Sequence, residues 1–83
     1  MELLQLQYFE RIAKYQSMSK AAEELHVSQP SLSSCIIRLE KELGVKLFDR
    51  NGRKIVLNSY GKYFLNMTRQ ILKNARFQPM KKP

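Results

Sequence analysis

Small polar side chains are concentrated between Ser28 and Ser34, where the sequence reads Ser-Gln-Pro-Ser-Leu-Ser-Ser. The amide of Gln29 can donate and accept hydrogen bonds together, and such an amide pairs bidentately with N6 and N7 of adenine. Serine hydroxyls can bond to base edges or to phosphates, and Pro30 can touch a thymine methyl group. Side chains of these types at the start of a helix suit a helix that faces phosphates and bases.

This polar segment opens the second of two short predicted helices that are joined by a tight turn. Ser19 is a suitable N-cap for the first of them, over residues 20 to about 25, because its hydroxyl can accept a free backbone N–H. Residues 26–28 form the predicted turn, and Ser28 caps the next helix. Such a pair, over residues 19–38, is a helix-turn-helix, which presents the start of its second helix to the DNA major groove.

Apolar stripes before and within this motif predict the core. Apolar residues recur at helical spacing over residues 3–16, which indicates an amphipathic first helix. The helix that Ser28 caps has Pro30 in its first turn and stops at Gly44. Its predicted core side consists of Leu32, Ile36, Leu39 and Leu43, with Cys35 at the edge. Its opposite side consists of Ser33, Ser34, Ile37, Arg38 and Lys41.

A hairpin and a long helix follow. Asn51-Gly52 lies between two β-prone runs, which is the strongest short-range signal for a β-hairpin. Arg50 and Arg53 flank the tip of this hairpin. Asn58 is the predicted N-cap of a helix over residues 59 to about 76.

The predicted fold class is mainly α: a winged helix-turn-helix with a three-helix core and a two-stranded wing, plus a long C-terminal linker helix. Residues 1–58 form the winged helix-turn-helix domain in this prediction, with the wing at about 46–57. Residues 59–77 form the linker helix, and residues 78–83 form a flexible basic tail.

The charge is distributed unevenly along the chain, whose net charge is +8. Residues 1–43 hold five Lys or Arg and six Asp or Glu, whereas residues 44–83 hold ten Lys or Arg and Asp49 alone. Such a basic half suggests a polyanionic partner, either nucleic acid or an anionic membrane, although solubility alone is the simpler explanation.

The order and spacing of several motifs resemble the N-terminal DNA-binding domain of LysR-type bacterial transcriptional regulators. The matching segments cover about residues 3–61; they include Leu6-Gln-Tyr-Phe9, Ser19 to Ser33 and Glu42-Leu-Gly-Val-Lys-Leu-Phe-Asp-Arg50. The chain departs from the family pattern at Ser34, often a long basic or amide residue there, at Ile37, often polar or basic, and at Asn58, usually threonine. Family members normally continue into an effector-binding domain, so we expect either a domain cut from a longer regulator or a naturally short product.

The resemblance implies which residues meet DNA. The recognition helix would insert its first residues into the major groove, with Arg38 on phosphate and the wing arginines at the adjacent minor groove or backbone. For Lys20 a phosphate contact and a solvated charge are equally supported. Arg38 could instead be a solvated charge near Glu40 or Glu42, and Arg50 could be held by Asp49 and the core. The predicted DNA-binding residues are Lys20, Gln29, Pro30, Ser31, Ser33, Ser34, Arg38, Arg50 and Arg53.

In this family the linker helix pairs with the same helix of a second copy, which spaces two recognition helices one DNA turn apart. The resemblance therefore implies a homodimer on an inverted-repeat operator, in the cytoplasm of a bacterium at its nucleoid. A small-molecule effector is implied only if a C-terminal domain exists. Four residues are predicted to be shared between the core and the dimer contact, without a division between the two roles: Tyr60, Phe64, Met67 and Ile71.

Other functions find less support in the sequence. One cysteine and one histidine provide neither an intramolecular disulfide nor a zinc cluster, and the glutamate pairs lack a partner base, so we expect no enzyme, metal or cofactor. The glycosylation pattern Asn66-Met67-Thr68 is read as chance. Two alternatives stay open: a truncated module that dimerises through residues 59–76 without reading DNA, and, much less favoured, association of that basic helix with a membrane surface.

Overall fold

The computed structural model of the protein describes residues 1–52 and 54–77, with side chains as far as Asn74. Four helices and one two-stranded antiparallel sheet follow one another along the chain. They are α1 (Leu3–Tyr15), α2 (Met18–Leu25), α3 (Gln29–Leu43), β1 (Phe48–Asn51), β2 (Lys54–Leu57) and α4 (Ser59–Phe77). This order confirms the predicted winged helix-turn-helix with an added long helix.

The N-cap predicted for α2 was wrong. Ser17, not Ser19, has the extended backbone of a cap, and its hydroxyl oxygen accepts the backbone N–H of Lys20 at 3.2 Å. The helix therefore begins at Met18, and Ser19 lies inside its first turn. Both serines satisfy the composition rule for a cap, and the half-buried Met18, which packs against the core, fixes which one serves.

The turn and start of α3 are confirmed. His26 ends α2 in the left-handed conformation, with φ of 59°, and the half-buried Val27 packs against the core. Ser28 then accepts the backbone N–H of Ser31 at 3.2 Å, and Pro30 occupies the first turn of α3. Gly44 ends the helix with φ of 78°, a conformation that glycine adopts without steric cost.

The wing turn lies one residue later than predicted. Strand pairing matches Phe48 with Leu57 and Asn51 with Lys54, so Asn51 belongs to β1 and the turn begins at Gly52, which has φ of 67°. Packing explains this register, because Ile55 is buried and the ring of Phe48 lies 5.6 Å from that of Phe9. Arg53, predicted at the wing tip, lies outside the described residues.

The core lies between α1, α3 and one side of α4. Phe9 is fully buried at its centre, and its ring centroid lies 5.2 Å from that of Phe64 on α4. The other fully buried large side chains are Ile12, Leu32, Leu39, Leu47 and Thr68. Cys35 is also buried, and burial raises the pKa of its thiol.

The start of α4 is fixed by Asn58, as predicted. Its side-chain carbonyl accepts the backbone N–H of Gly61 at 2.8 Å, and its amide donates to the carbonyl of Lys46 at 3.0 Å. The two bonds join the helix to the segment that precedes the wing. The tail predicted for residues 78–83 lies outside the described residues.

The four residues that were predicted to serve both core and dimer are divided by the structure. Phe64 is 9% exposed and belongs to the core. Tyr60, Met67 and Ile71 are 59%, 44% and 44% exposed, and Tyr63 is 73% exposed. The helix thus has one side packed on the domain and an apolar side that faces solvent.

Candidate nucleic-acid interface

The first turn of α3 is exposed and polar. Gln29, Pro30, Ser31 and Ser34 all lie on the surface. The hydroxyl of Ser31 accepts a hydrogen bond from the Ser28 hydroxyl at 2.9 Å, so it retains its own proton for an external acceptor. The amide of Gln29 makes no hydrogen bond within the described part of the chain. This turn can therefore offer both donors and acceptors to a ligand.

Ser33 differs from its neighbours, because it is half-buried. It faces a depression between α3 and the wing, whose other walls include Ile36, Phe48 and Arg50. The helical periodicity placed Ser33 on the outer side correctly, but the wing then covers part of that side. Ser33 is therefore less accessible from outside than Ser31 and Ser34.

A second hollow brings the predicted cations together with the start of α3. We call it the cationic hollow; it lies between the α1–α2 junction, the start of α3 and the wing. Lys20, Gln29 and Arg50 line it, which are three of the residues predicted to bind DNA. The remaining lining residues are Tyr15, Gln16, Ser17, Met18, Ser19, Lys54, Ile55 and Val56.

Lys54 is the residue that the sequence reasoning missed. It is exposed, begins β2 and lines the cationic hollow together with Lys20. The sequence pattern of β2 could have identified it. Side chains alternate between the two faces of a strand, so an inward Ile55 implies that Lys54 and Val56 face outward. The hollow thus has three positively charged side chains, from α2, β1 and β2.

Arg38 and Arg50 form no ion pair with the carboxylates near them in sequence. The Glu40 carboxylate accepts the backbone N–H of Leu47 at 2.7 Å, and that of Glu42 pairs with the N-terminal ammonium at 3.1 Å. Neither Arg38 nor Arg50 forms an ion pair within residues 1–52 and 54–74, and both are exposed. Arg38 lies outside the hollow, further along α3.

Two acidic side chains, Glu10 on α1 and Glu24 on α2, accept hydrogen bonds from donors on α1. Arg11 donates to Glu10 at 2.6 Å and to Glu24 at 2.8 Å, and the hydroxyl of Tyr15 also donates to Glu24. These donors, Tyr15 first and then Arg11, lower the pKa of the Glu24 carboxyl. Glu24 and Glu40 therefore both have hydrogen-bond partners within the domain.

The other candidate sites have structural roles. His26 is a helix C-cap and Cys35 is a buried apolar residue. No group of three or more His, Cys, Asp or Glu in the described ranges is arranged to hold a metal ion. In the same part of the chain, no helix is long and apolar enough to cross a membrane.

Three helices, the third with an exposed polar first turn, followed by a two-stranded wing, define a winged helix-turn-helix domain. Residues 3–62 match the model of the bacterial regulatory helix-turn-helix proteins of the lysR family. The chain belongs to this family and is a LysR-type helix-turn-helix DNA-binding domain, which confirms the resemblance noted in the sequence.

Individual relatives agree with this assignment. The uncharacterized HTH-type transcriptional regulator YybE of Bacillus subtilis (strain 168) is 51% identical over 73 residues, which are 88% of this chain and 25% of YybE. The chain thus spans about a quarter of the length of this curated relative.

Two solved structures share the fold over most of their own length. The BenM DNA-binding domain in complex with benA site 1 DNA is 38% identical, with a TM-score of 0.87, over 92% of this chain and 85% of that one. The CbnR DNA-binding domain in complex with DNA is 44% identical, with a TM-score of 0.86, over 90% of this chain and 86% of that one.

Proposed function

We propose that this domain binds double-stranded DNA in a sequence-dependent manner as the reading part of a LysR-type transcriptional regulator. The observation that carries the proposal is the cationic hollow, which Lys20, Arg50 and Lys54 line together with the exposed Gln29. Three positive charges beside an adaptable hydrogen-bonding group combine the two components of DNA recognition, because phosphate contacts position a protein and base contacts specify sequence.

In this proposal α3 enters the major groove with its first turn. Gln29 reads an adenine edge, Ser31 and Ser34 bond to nearby bases or phosphates, and Pro30 lies against a thymine methyl group. Ser33 contributes less, because it is half-buried beside the wing. Arg38 binds phosphate further along the same helix.

The wing contacts the DNA next to the major-groove site. Arg50 and Lys54 are exposed on neighbouring strands, and Arg53 belongs to the same segment by sequence. Guanidinium groups favour a narrow, A·T-rich minor groove, where the negative potential is strongest. Lys20 holds the phosphates on the α2 side of the hollow.

Two copies act together through α4. Tyr60, Met67 and Ile71 form an exposed apolar stripe, whereas Phe64 is used by the domain's own core. Pairing of two stripes would place two α3 helices about 34 Å apart, so the expected operator is an inverted repeat. The proposed setting is the bacterial cytoplasm at the nucleoid, with any effector bound by a further domain.

The same stripe supports a second candidate, a module that dimerises with regulators through α4 without reading DNA itself. The two candidates differ in whether the residues of the cationic hollow matter. They are therefore separated by an experiment on Gln29 and Lys54.

Selection of bound sequences from a random duplex pool tests the proposal directly, and an enriched inverted repeat is the expected result. On that operator, Gln29→Ala should weaken binding between about 5-fold and 150-fold, the value of one bidentate base contact, with little change on random DNA. Lys54→Ala should weaken binding to both duplexes and reduce the slope of log affinity against log salt by about 0.9.

Gln7→Ala is the matched control, because Gln7 is an exposed glutamine on α1 and does not line the hollow. Affinities are measured by fluorescence anisotropy across a salt series. Equal binding of operator and random duplexes at every salt concentration would contradict the proposal and favour the interaction module.

A further inference from the structure

The junction between α1 and α2 has an unusual backbone. Gln16 ends α1 with φ of 47° and ψ of 43°, in the left-handed region. In the described part of the chain, His26 is the only other non-glycine residue with positive φ. This conformation is disfavoured for residues with a Cβ, and such conformations persist where surrounding interactions hold them, often at functional sites.

The side chain of Gln16 makes a long-range hydrogen bond. Its carbonyl oxygen accepts the backbone N–H of Leu57 at 3.1 Å, across 41 residues of sequence. Leu57 is the last residue of β2, and β2 pairs with β1 alone. The glutamine therefore satisfies a donor that the two-stranded wing leaves without a strand partner.

This bond lies where three parts of the domain meet. The residue after Gln16 is Ser17, which caps α2, and the residue after Leu57 is Asn58, which caps α4. Gln16 also lines the cationic hollow together with Lys20 and Lys54. A change in this bond would alter the separation between the α2 side and the wing side of the hollow.

We infer that Gln16 is a positioning residue that sets the wing against the helix-turn-helix. With the bond present, Lys54 and Arg50 meet the DNA backbone while Gln29 reads its base. Without it, the root of the wing is free to shift, and the phosphate contacts no longer favour the register in which the base contact forms. This inference rests on the proposed function and names one residue on which sequence-dependent DNA binding depends.

Three substitutions separate this role from a loss of stability or charge. Gln16→Met has nearly the same length and removes the acceptor, whereas Gln16→Glu keeps an acceptor oxygen and adds a negative charge. Gln16→Gly removes the acceptor and also relieves the left-handed backbone, so it stays folded even where Met is strained. Gln7→Met is the control, on an exposed position of α1.

The readouts are the ratio of operator to random-duplex affinity at fixed salt and the exchange rate of the Leu57 amide, measured by NMR. In Gln16→Met and Gln16→Gly we expect the ratio to fall about fivefold, as for one lost hydrogen bond, and the Leu57 amide to exchange faster. Gln16→Glu should keep the ratio and the amide protection, while binding both duplexes more weakly because its charge repels phosphate. Gln7→Met should change neither readout.

A ratio that stays within twofold of the unsubstituted protein in Gln16→Met and Gln16→Gly overturns the inference, as does an equal loss on both duplexes. If the unsubstituted protein itself fails to distinguish the duplexes, the proposed function has failed instead. In that case amide exchange across β2 still decides whether Gln16 holds the wing. Faster exchange of the amides from Leu57 to Lys54 in the Gln16 variants supports the positioning role, and unchanged exchange rates contradict it.

Discussion

Thr68 is the clearest case of a single side chain whose environment does not match its chemistry. It is fully buried in α4, and its hydroxyl oxygen has no hydrogen-bond partner in the described part of the molecule. A buried polar group without a partner costs about 1–3 kcal/mol in folding free energy, because it has lost its hydrogen bonds to water. The site therefore accommodates the shape of the threonine side chain but provides no partner for its hydroxyl group.

Thr68→Val should therefore stabilise the domain by about 1–2 kcal/mol, since it keeps the shape and removes the unpaired hydroxyl. Urea denaturation followed by circular dichroism measures the change. Thr68→Ser is the control, and it should destabilise the domain, because it keeps the hydroxyl and deletes a buried methyl group. A destabilised Val variant would mean that the hydroxyl has a partner in solution.

Several site residues followed from the sequence, and the two exceptions have different causes. The exposed positions of Gln29, Ser31 and Ser34 follow from helical periodicity once Ser28 is the cap. That periodicity identifies a side of a helix but not the element that covers it, so the half-buried Ser33 was not predicted. The outward position of Lys54 does follow from the alternation of β2, but its place in the hollow depends on how the wing packs.

At the scale of the elements, the first turn of α4 lies close against the segments on either side of the wing. A Cβ placed on Gly61 would lie 2.2 Å from the carbonyl oxygen of Leu47 and 2.6 Å from Cδ1 of Leu57. The carbonyl cannot retreat easily, because it accepts the backbone N–H of Asn58 at 3.0 Å. Gly61 is thus required by this contact, although alanine is the better helix former by about 1 kcal/mol.

Gly61→Ala should destabilise the domain by about 2–3 kcal/mol, because overpacking costs more than the gain in helix propensity. Thermal unfolding measures the loss. Gly44→Ala provides the comparison: there a Cβ meets open space, and only the positive φ costs about 1–2 kcal/mol. If Gly61→Ala is neutral, α4 does not hold this position in solution.

The order of the elements could be predicted from the sequence, but two local registers could not. The helices and the wing have distinct periodicities and end signals, such as Gly44 and Asn58. In the sequence, either Ser17 or Ser19 could be the N-cap of α2. Likewise, the wing turn could begin at either Asn51 or Gly52. The choice in each pair is made by packing of Met18, Phe48 and Ile55 on the core, which local sequence does not contain.

The molecule as a whole has an uneven distribution of charge and an exposed apolar stripe on α4, and both are features that the proposed dimer on DNA requires. The basic charges lie mostly in residues 44–83, which include the wing and α4. A dimer with two cationic hollows doubles the number of phosphates that it neutralises, and this steepens the dependence of affinity on salt.

Ile71→Asp should convert the proposed dimer to a monomer, because it places a charge within the apolar stripe, where pairing would bury the charge without a partner. Sedimentation velocity measures the assembly state. Operator binding should fall at least about tenfold, since the second half-site is no longer bound from the same complex. Asn66→Asp is the control, on an exposed polar position of α4 that lies off the apolar stripe. A dimer that survives Ile71→Asp would place the contact elsewhere.

The single cysteine has an experimental consequence of its own. Cys35 is the chain's only thiol, it is buried within the recognition helix, and its raised pKa keeps it protonated. An exposed thiolate attacks the carbon of an alkylating reagent and displaces its leaving group, so the rate of alkylation reports how often this helix leaves the core. The alkylation rate of Cys35 therefore measures how often α3 opens. Mass spectrometry can follow it with or without DNA and without an added label.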